Sequence, residues 1–528
     1  MQEKPRLLDN LFQSAPTTRT IVLIALFSVA LKTLTAWRFP FTGDEAYFVL
    51  HGRYVAWGYY DHPPMLGWLI HLLLYLGRSH VLLRLMPIIF STAVALGMYG
   101  VLRPYDQRKA FLAYILFIFS PLNSAFFVLT TDAPLFLFSF LSAFFLFKAE
   151  KKCSYLYYLL AGLFLGMAFS SKYFALLLAF SYLAYLLVVK KNPTRLKGFL
   201  LLALAAVPFM VQNLLWNYRM GWPNIMHNLV NRVRPDTKPL LNLAILAVIL
   251  VYLITPPVLW FLFKNRSRIL ANFRRGPFRI FAVAAVVPLC VFLAVSFKKT
   301  VRPHWYVSFL PFAYIMVVLI LNEKQLIKSI RFALSFSLVQ ACLLIGVSFL
   351  PLDRLQGVLK QGHLVDLVTY IRPRQILDQL RPYEGRFLFA ATSYSTSALL
   401  AHYTDDKVIV FGKGSSHARH DDILTDFKQL DGCDILILHK AAKHNPEFQR
   451  CFDKMEVKNL TIDGAHFSLL LGRGFKYEQY RQRFLRTICN RYYRIPDWLP
   501  GTRSFFHEKY DFPRQTKRTH PAPKIPRT

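Results

Sequence analysis

Apolar positions in this chain come in long unbroken runs, not in the stripes of a surface helix or the alternation of a half-buried strand. Between Ile21 and Leu350 the runs have membrane-spanning length and are separated by short polar loops. About eleven spanning helices are predicted, at approximately 20–37, 81–102, 110–129, 133–147, 154–170, 173–189, 198–216, 240–263, 279–297, 305–322 and 332–350. Residues 64–77 make a further apolar helix, short for a crossing and preceded by two prolines, which predicts an interfacial or re-entrant element. If it crosses, the total rises, giving a range of about 11–13.

After Leu350 the pattern changes. Short apolar runs at 387–390, 408–411, 434–438 and 467–471 read as strands, with helices between them at 395–403 and 421–430. Residues 351–475 are therefore predicted to be a soluble α/β domain. From 476 to 528 a basic, aromatic and then proline-rich tail is expected to lie against an anionic surface or to be partly disordered. The fold class is a polytopic α-helical membrane protein with a C-terminal soluble α/β domain.

Composition agrees. Of 528 residues, 54% are hydrophobic and only 18% charged, which excludes an ordinary soluble protein. The net charge of +35 does not imply nucleic acid, since no recognition module is present. Much of it lies in short loops, where positive-inside topology and anionic membrane lipids account for it. One alternate set of loops, including Arg103/Arg108/Lys109 and Lys148/Lys151/Lys152, carries roughly twice the Lys and Arg of the other set and is read as cytoplasmic. Residues 1–19 then form a cytoplasmic N-terminus followed by a signal anchor, because no small-residue cleavage site follows the first apolar run. The α/β domain is then expected on the outer side of the plasma membrane. The six cysteines have neither metal-ligand spacing nor a disulfide framework; Cys433 and Cys451 could pair in an oxidising compartment or stay as core thiols.

The unusual polar residues gather in the outward loops. Asp44 and Glu45 follow Thr42, a spacing that makes a helix capping box and also supplies a candidate general base. Tyr60-Asp61-His62-Pro63-Pro64 is a turn that starts a helix; His62 can meet an anionic group, and Asp61 with His62 offers two metal ligands, too few to define a site. Asp132 opens another segment, where capping explains it and a site role is equally open. Lys172 either snorkels to the interface or holds a phosphate as a point charge. Gln212, Asn213 and Trp222 suit sugar hydroxyls and sugar faces, and suit the membrane interface as well. Lys298, Lys299, Arg302, His304 and Trp305 form a cationic, aromatic cluster able to seat a phosphate. Gly412-Lys413-Gly414-Ser415-Ser416 lacks the full spacing of a phosphate loop and reads as a turn.

Taken in order, these motifs resemble the bacterial relatives of the protein O-mannosyltransferases and the lipid A aminoarabinose transferase, which share the GT-C membrane glycosyltransferase fold. The carriers are Gly43-Asp44-Glu45-Ala46-Tyr47, Tyr60-Asp61-His62-Pro63-Pro64, Thr131-Asp132-Ala133-Pro134, Ser171-Lys172-Tyr173, Gln212-Asn213 to Trp222-Pro223, and Arg302-Pro303-His304-Trp305. They cover roughly residues 20–350. The resemblance implies a polyprenyl-phosphate sugar donor and inverting transfer to an envelope acceptor, whether lipid, glycan or protein. It implies Asp44 as general base with Glu45 as its acidic neighbour, and Lys172, Arg302, His304 and His62 toward the donor phosphate. Tyr60, Asp61, Asp132, Gln212, Asn213, Trp222 and Trp305 would line the substrate. His62 stands where the aminoarabinose transferase pattern has a lysine, a departure that speaks against aminoarabinose as the sugar. No cofactor is required by this chemistry; it admits a divalent metal. The rival readings are a transporter or lipid flippase, which needs polar residues near the membrane midplane and matching halves, and a scaffold presenting the outer domain. Neither accounts for acids and cations collecting in the loops of one side.

Overall fold

A computed structural model of the chain describes residues 16–189, 192–231, 238–273, 276–404, 406–414, 420–441 and 446–514. It divides into two compact units. One comprises residues 1–39, 68–211 and 234–349, the other 40–67, 212–233 and 350–528.

The first unit is a helical bundle. Among the described residues six helices have the length and hydropathy to cross a membrane: Thr18–Arg38, His80–Leu102, Asp132–Lys152, Pro193–Met220 (which runs past 211 into the second unit), Arg279–Ser296 and Glu323–Phe349. Several of their starts are chemically marked. Thr17 and Ser79 accept backbone N–H groups of the first turn, and Asn322 forms a capping box with Gln325. Every one of the eleven expected segments contains helix, but not all are full spans. Tyr155–Ser171, Ala175–Val188 and Val307–Ile320 are shorter apolar helices. The run predicted at 240–263 is two helices, Pro239–Ile254 and Pro256–Lys264, bent by 95°. Two prolines at 256 and 257 cause this, since proline lacks the N–H and drives the preceding residue, Thr255, out of the helical region. The run predicted at 110–129 stops at Ile118, before Ser120-Pro121, and Ala110–Ile118 are all buried. It is a core helix. Runs of consecutive apolar residues cannot distinguish that from a crossing.

The bundle core is rich in phenylalanine, with Phe117, Phe136, Phe281 and Phe312 in ring contact with neighbours. Its buried charged groups are paired. Lys32 donates to Ser91 Oγ at 2.9 Å and to Asn123 Oδ1. Arg84, fully buried, donates to the carbonyls of Ala36 (2.6 Å) and Phe39 (2.7 Å), and so neutralises the C-terminal end of the first helix. Glu150 accepts from Tyr158, from Tyr185 at 2.8 Å and from Arg195 Nε at 2.9 Å.

The second unit is built on a five-stranded sheet of order β2-β1-β3-β5-β4, with β1 Leu388–Ala391, β2 Ile409–Val410, β3 Ile435–His439, β4 Phe452–Ile462 and β5 Ala465–Phe475. Strand β1 lies parallel to β2 and β3; β5 is antiparallel to β3 and β4. The β4–β5 turn is Asp463-Gly464, both at positive φ (45° and 77°), as a two-residue hairpin loop requires. Four of the strands and the helix Tyr394–Thr404 lie where the sequence predicts them. Strand β4 and the helices Gln361–Ile371 and Pro373–Leu380 were not predicted. The helix expected at 421–430 is a single turn, Asp421–Leu424, followed by a 3-10 turn, Phe427–Leu430.

Two organisational expectations change. The first outward loop (40–67) and the segment 212–233 pack in one unit with the C-terminal domain instead of with the bundle. The stretch from 476, expected as a tail, is folded through residue 514. Tyr480, Phe484, Tyr493, Phe506, Tyr510 and Phe512 are buried against the sheet in one cluster with Phe411, Phe427 and Phe475. Aromatic burial outweighs the basic charge there, which stays at the surface on arginine tips. Residues 515–528, like Ser415 and Ser416, lie outside the described residues. The cysteines carry no disulfide, and Cys451 and Cys489 are buried thiols.

Candidate functional site

In the second unit the helix Gly43–Arg53 sets the site. Thr42 caps it, and Glu45 completes the capping box: its Oε2 accepts Thr42 N–H at 3.0 Å and Thr42 Oγ1–H at 3.1 Å. Glu45 is buried in that role. Asp44, its neighbour, points the other way and is exposed. Its Oδ1 accepts a hydrogen bond from the Tyr394 hydroxyl at 2.6 Å. Tyr394 begins a helix of the C-terminal domain, and this approach depends on Gly43: a Cβ there would fall 2.6 Å from Ser395 Cβ and 2.7 Å from Ser395 O.

One turn on, Tyr47 donates its hydroxyl to Asp61 Oδ1 at 2.9 Å, and Asp61 Oδ2 lies 3.5 Å from His62 Nε2. Tyr47 is also in edge contact with Tyr394 (5.0 Å). Burial, and then the Asp61 carboxylate, raise the Tyr47 phenol well above its usual range, so it stays a donor. Below these groups His51 stacks flat on Tyr59 at 3.9 Å, and His420 meets both rings edge-on. His420 Nδ1 accepts the backbone N–H of Tyr60 at 3.4 Å. Burial pushes His420 down to about 3 and His51 well below its ordinary value, so both imidazoles are neutral.

The segment 212–233 braces this loop from its backbone. Gln212 donates to Trp57 O (2.6 Å), Asn224 to Tyr59 O (3.0 Å) and Asn228 to Asp61 O (3.2 Å). Asn213 is buried and its carbonyl accepts from Asn217. Tyr60 is buried between His227 and Tyr493. Trp222 has positive φ, donates its indole N–H to Pro500 O at 2.7 Å, and is covered by Met226, Ile495 and Leu499.

In the first unit Lys172 donates to Asp132 Oδ1 at 2.7 Å, both partners mostly buried. Lys172 also lies over Phe174, which touches Trp305 at 5.2 Å. The Lys172 and Arg302–Trp305 segments are thus neighbours. Arg302 is exposed and His304 half-buried. Among the described residues no three His, Cys, Asp or Glu side chains converge to hold a metal ion.

The structure therefore gathers Asp44, Glu45, Tyr60, Asp61, His62, Gln212, Asn213 and Trp222 in one unit, and Asp132, Lys172, Arg302, His304 and Trp305 in the other. Sequence reasoning missed Tyr394, His420 and His51, and gave Tyr47 no role although it stands in the Gly43–Tyr47 motif. Asn224 and Asn228, four residues apart on the motif-bearing loop, carried a signal; Tyr394, 350 positions from Asp44, carried none.

Residues 61–216 match the family model described as dolichyl-phosphate-mannose-protein mannosyltransferase. The chain is similar to ArnT from Cupriavidus metallidurans bound to undecaprenyl phosphate, at TM-score 0.60 and 14% identity, covering 86% of this chain and 98% of that one. The fold is that of the GT-C membrane glycosyltransferases. The apo form of the same ArnT gives TM-score 0.58 with the same identity and coverage. An Archaeoglobus fulgidus oligosaccharyltransferase tethered to an acceptor peptide matches at TM-score 0.42 and 13% identity, over 76% of this chain and 64% of that one, too remote to weigh. No curated protein matches by sequence. The chain is a multi-pass membrane protein with the fold of these transferases.

Proposed function

We propose that this GT-C protein transfers a sugar from a polyprenyl-phosphate donor to an acceptor of the cell envelope, on the outer side of the plasma membrane, with inversion at the anomeric carbon. The observation that carries the reading is Asp44: an exposed carboxylate at a helix N-terminus, with Oδ1 engaged by Tyr394 and no protein partner for Oδ2 among the described residues. A carboxylate so disposed can take a proton from a hydroxyl. The likeness to an ArnT bound to undecaprenyl phosphate supports the class of donor.

In the step itself the acceptor O–H gives its proton to Asp44 Oδ2 as its oxygen bonds to the anomeric carbon from the face opposite the phosphate. The bond from that carbon to the phosphate oxygen breaks, and its electron pair leaves on the lipid phosphate. The growing negative charge needs fixed cations: His62 is the candidate in the second unit, and Lys172, Arg302 and His304 are the candidates that the sequence motifs offer in the first. Glu45 acts through the cap that fixes the helix start. Asp61 and His62 supply at most two metal ligands, so no step is routed through a metal. The acceptor, whether lipopolysaccharide, another glycan or a protein, is defined by what the envelope loses without this chain.

The test is mass spectrometry of envelope glycolipids and glycoproteins from cells with and without the gene, and from cells carrying Asp44→Asn. The variant is expected to insert normally and to lose the gene-dependent sugar by at least about a hundredfold, the range of a lost general base. A fully active Asp44→Asn protein removes Asp44 as the base.

A further inference from the structure

Asp44 and Tyr394 belong to distant parts of the chain, yet their contact is among the most constrained in the second unit. The bond is 2.6 Å long. The Tyr394 ring is held on its other side by Tyr47, which itself bonds Asp61. The helix N-termini carrying the two residues meet so closely at Gly43 and Ser395 that no side chain fits between them. Burial, and then the neighbouring Asp44 carboxylate, raise the Tyr394 phenol far above its usual range, so it donates at any physiological pH. Tyr370, on the helix Gln361–Ile371, is a second phenol near Asp44, and burial raises it as well.

We propose that Tyr394 is a positioning residue for the base: the C-terminal domain reaches over to hold Asp44 Oδ1, which fixes the carboxylate plane and leaves Oδ2 to receive the acceptor proton. This rests on the assignment of Asp44 as base. It gives the α/β domain a part in the chemistry, beyond any part in acceptor recognition. Without that hydrogen bond the carboxylate rotates freely, which lowers the fraction of productive encounters.

The experiment uses the full-length protein in lipid nanodiscs and infrared difference spectroscopy, which needs no substrate. Subtracting the Asp44→Asn spectrum isolates the Asp44 carboxylate stretches. In Tyr394→Phe the splitting between the two stretches should change as Oδ1 loses its hydrogen bond. In Tyr370→Phe, which removes a neighbouring phenol, the bands should stay in place. In cells, Tyr394→Phe should lower the gene-dependent sugar transfer about tenfold. Unmoved bands in Tyr394→Phe, or an equal change in Tyr370→Phe, overturn the proposal while leaving Asp44 as base intact. Full sugar transfer by Asp44→Asn overturns the base assignment, and with it this inference, by a separate readout.

Discussion

Replacing Gly43 by alanine tests the packing that delivers Asp44 to Tyr394. In an isolated helix the change would stabilise, because alanine is favoured over glycine by up to about 1 kcal/mol. Here the new methyl would sit 2.6 Å from Ser395 Cβ, 2.7 Å from Ser395 O and 3.0 Å from Ser395 C, atoms with little freedom to move. Comfortable carbon contacts begin near about 3.5 Å, so the two helices must part by about 1 Å. Overpacking of this kind costs about 1–3 kcal/mol. Set against the full helix gain, the net loss is up to about 2 kcal/mol, or a melting temperature lower by up to about 8 °C for a unit of this size. The same displacement takes the 2.6 Å Asp44–Tyr394 contact beyond hydrogen-bonding range, so sugar transfer should fall along with stability. Purified full-length protein in detergent, melted at one fixed scan rate, provides the assay. Gly362→Ala is the matched control. Gly362 lies on the helix Gln361–Ile371 with nothing within 4 Å of its would-be Cβ, so that variant should melt slightly higher. A Gly43→Ala protein that melts as high as the Gly362→Ala protein would refute the close approach.

Two other outcomes are expected. Arg302→Ala should weaken binding of undecaprenyl phosphate about tenfold, read by native mass spectrometry; Lys172→Ala should do the same, while Asp132→Asn, which frees the lysine, should not. Unchanged binding in both cation variants would contradict their assignment. For pH, His420 is held down to about 3 in the fold against 6.5 when exposed, so its contribution is complete above about pH 6.5 and is lost as pH falls toward 3. The loss is about 1.4 kcal/mol per pH unit per group, and His51 adds in the same direction. Asp421, raised to about 6 by burial and then by Asp422, acts oppositely: it favours the fold below about pH 4 and loses that effect as pH rises to 6. The two histidines outweigh it, so melting should drop on acidification below pH 6.5. His420→Gln, which keeps an acceptor for Tyr60 N–H, should flatten that slope; an unaltered slope would argue against a buried neutral imidazole.

Hydrophobic run length gave the membrane class, the helical character of every expected segment and the change to an α/β region after Leu350. These are properties of the bilayer as solvent and of local periodicity, and both are written one residue at a time. The ordered motifs gave the GT-C likeness, because residue types at chain positions survive without knowledge of contacts. Run length could not separate the buried helix Gln107–Ile118 from a full span, nor foresee the 95° bend at Thr255, although its two prolines were in view. The Asp463-Gly464 pair between two alternating runs was a readable hairpin signal for β4.

Side-chain roles were a different matter. The Thr42–Glu45 spacing already contained the capping box that occupies Glu45, and so leaves Asp44 as the exposed acid. Nothing local connected Asp44 to Tyr394, Tyr60 to His420, or Trp222 to Pro500. Those contacts join the first outward loop and the 212–233 segment to the C-terminal domain across hundreds of residues. Composition and spacing carry the chemistry a residue can perform; the packing of distant segments decides which atom it performs it on, because a hydrogen bond is made over about 3 Å and its partner is chosen by the fold.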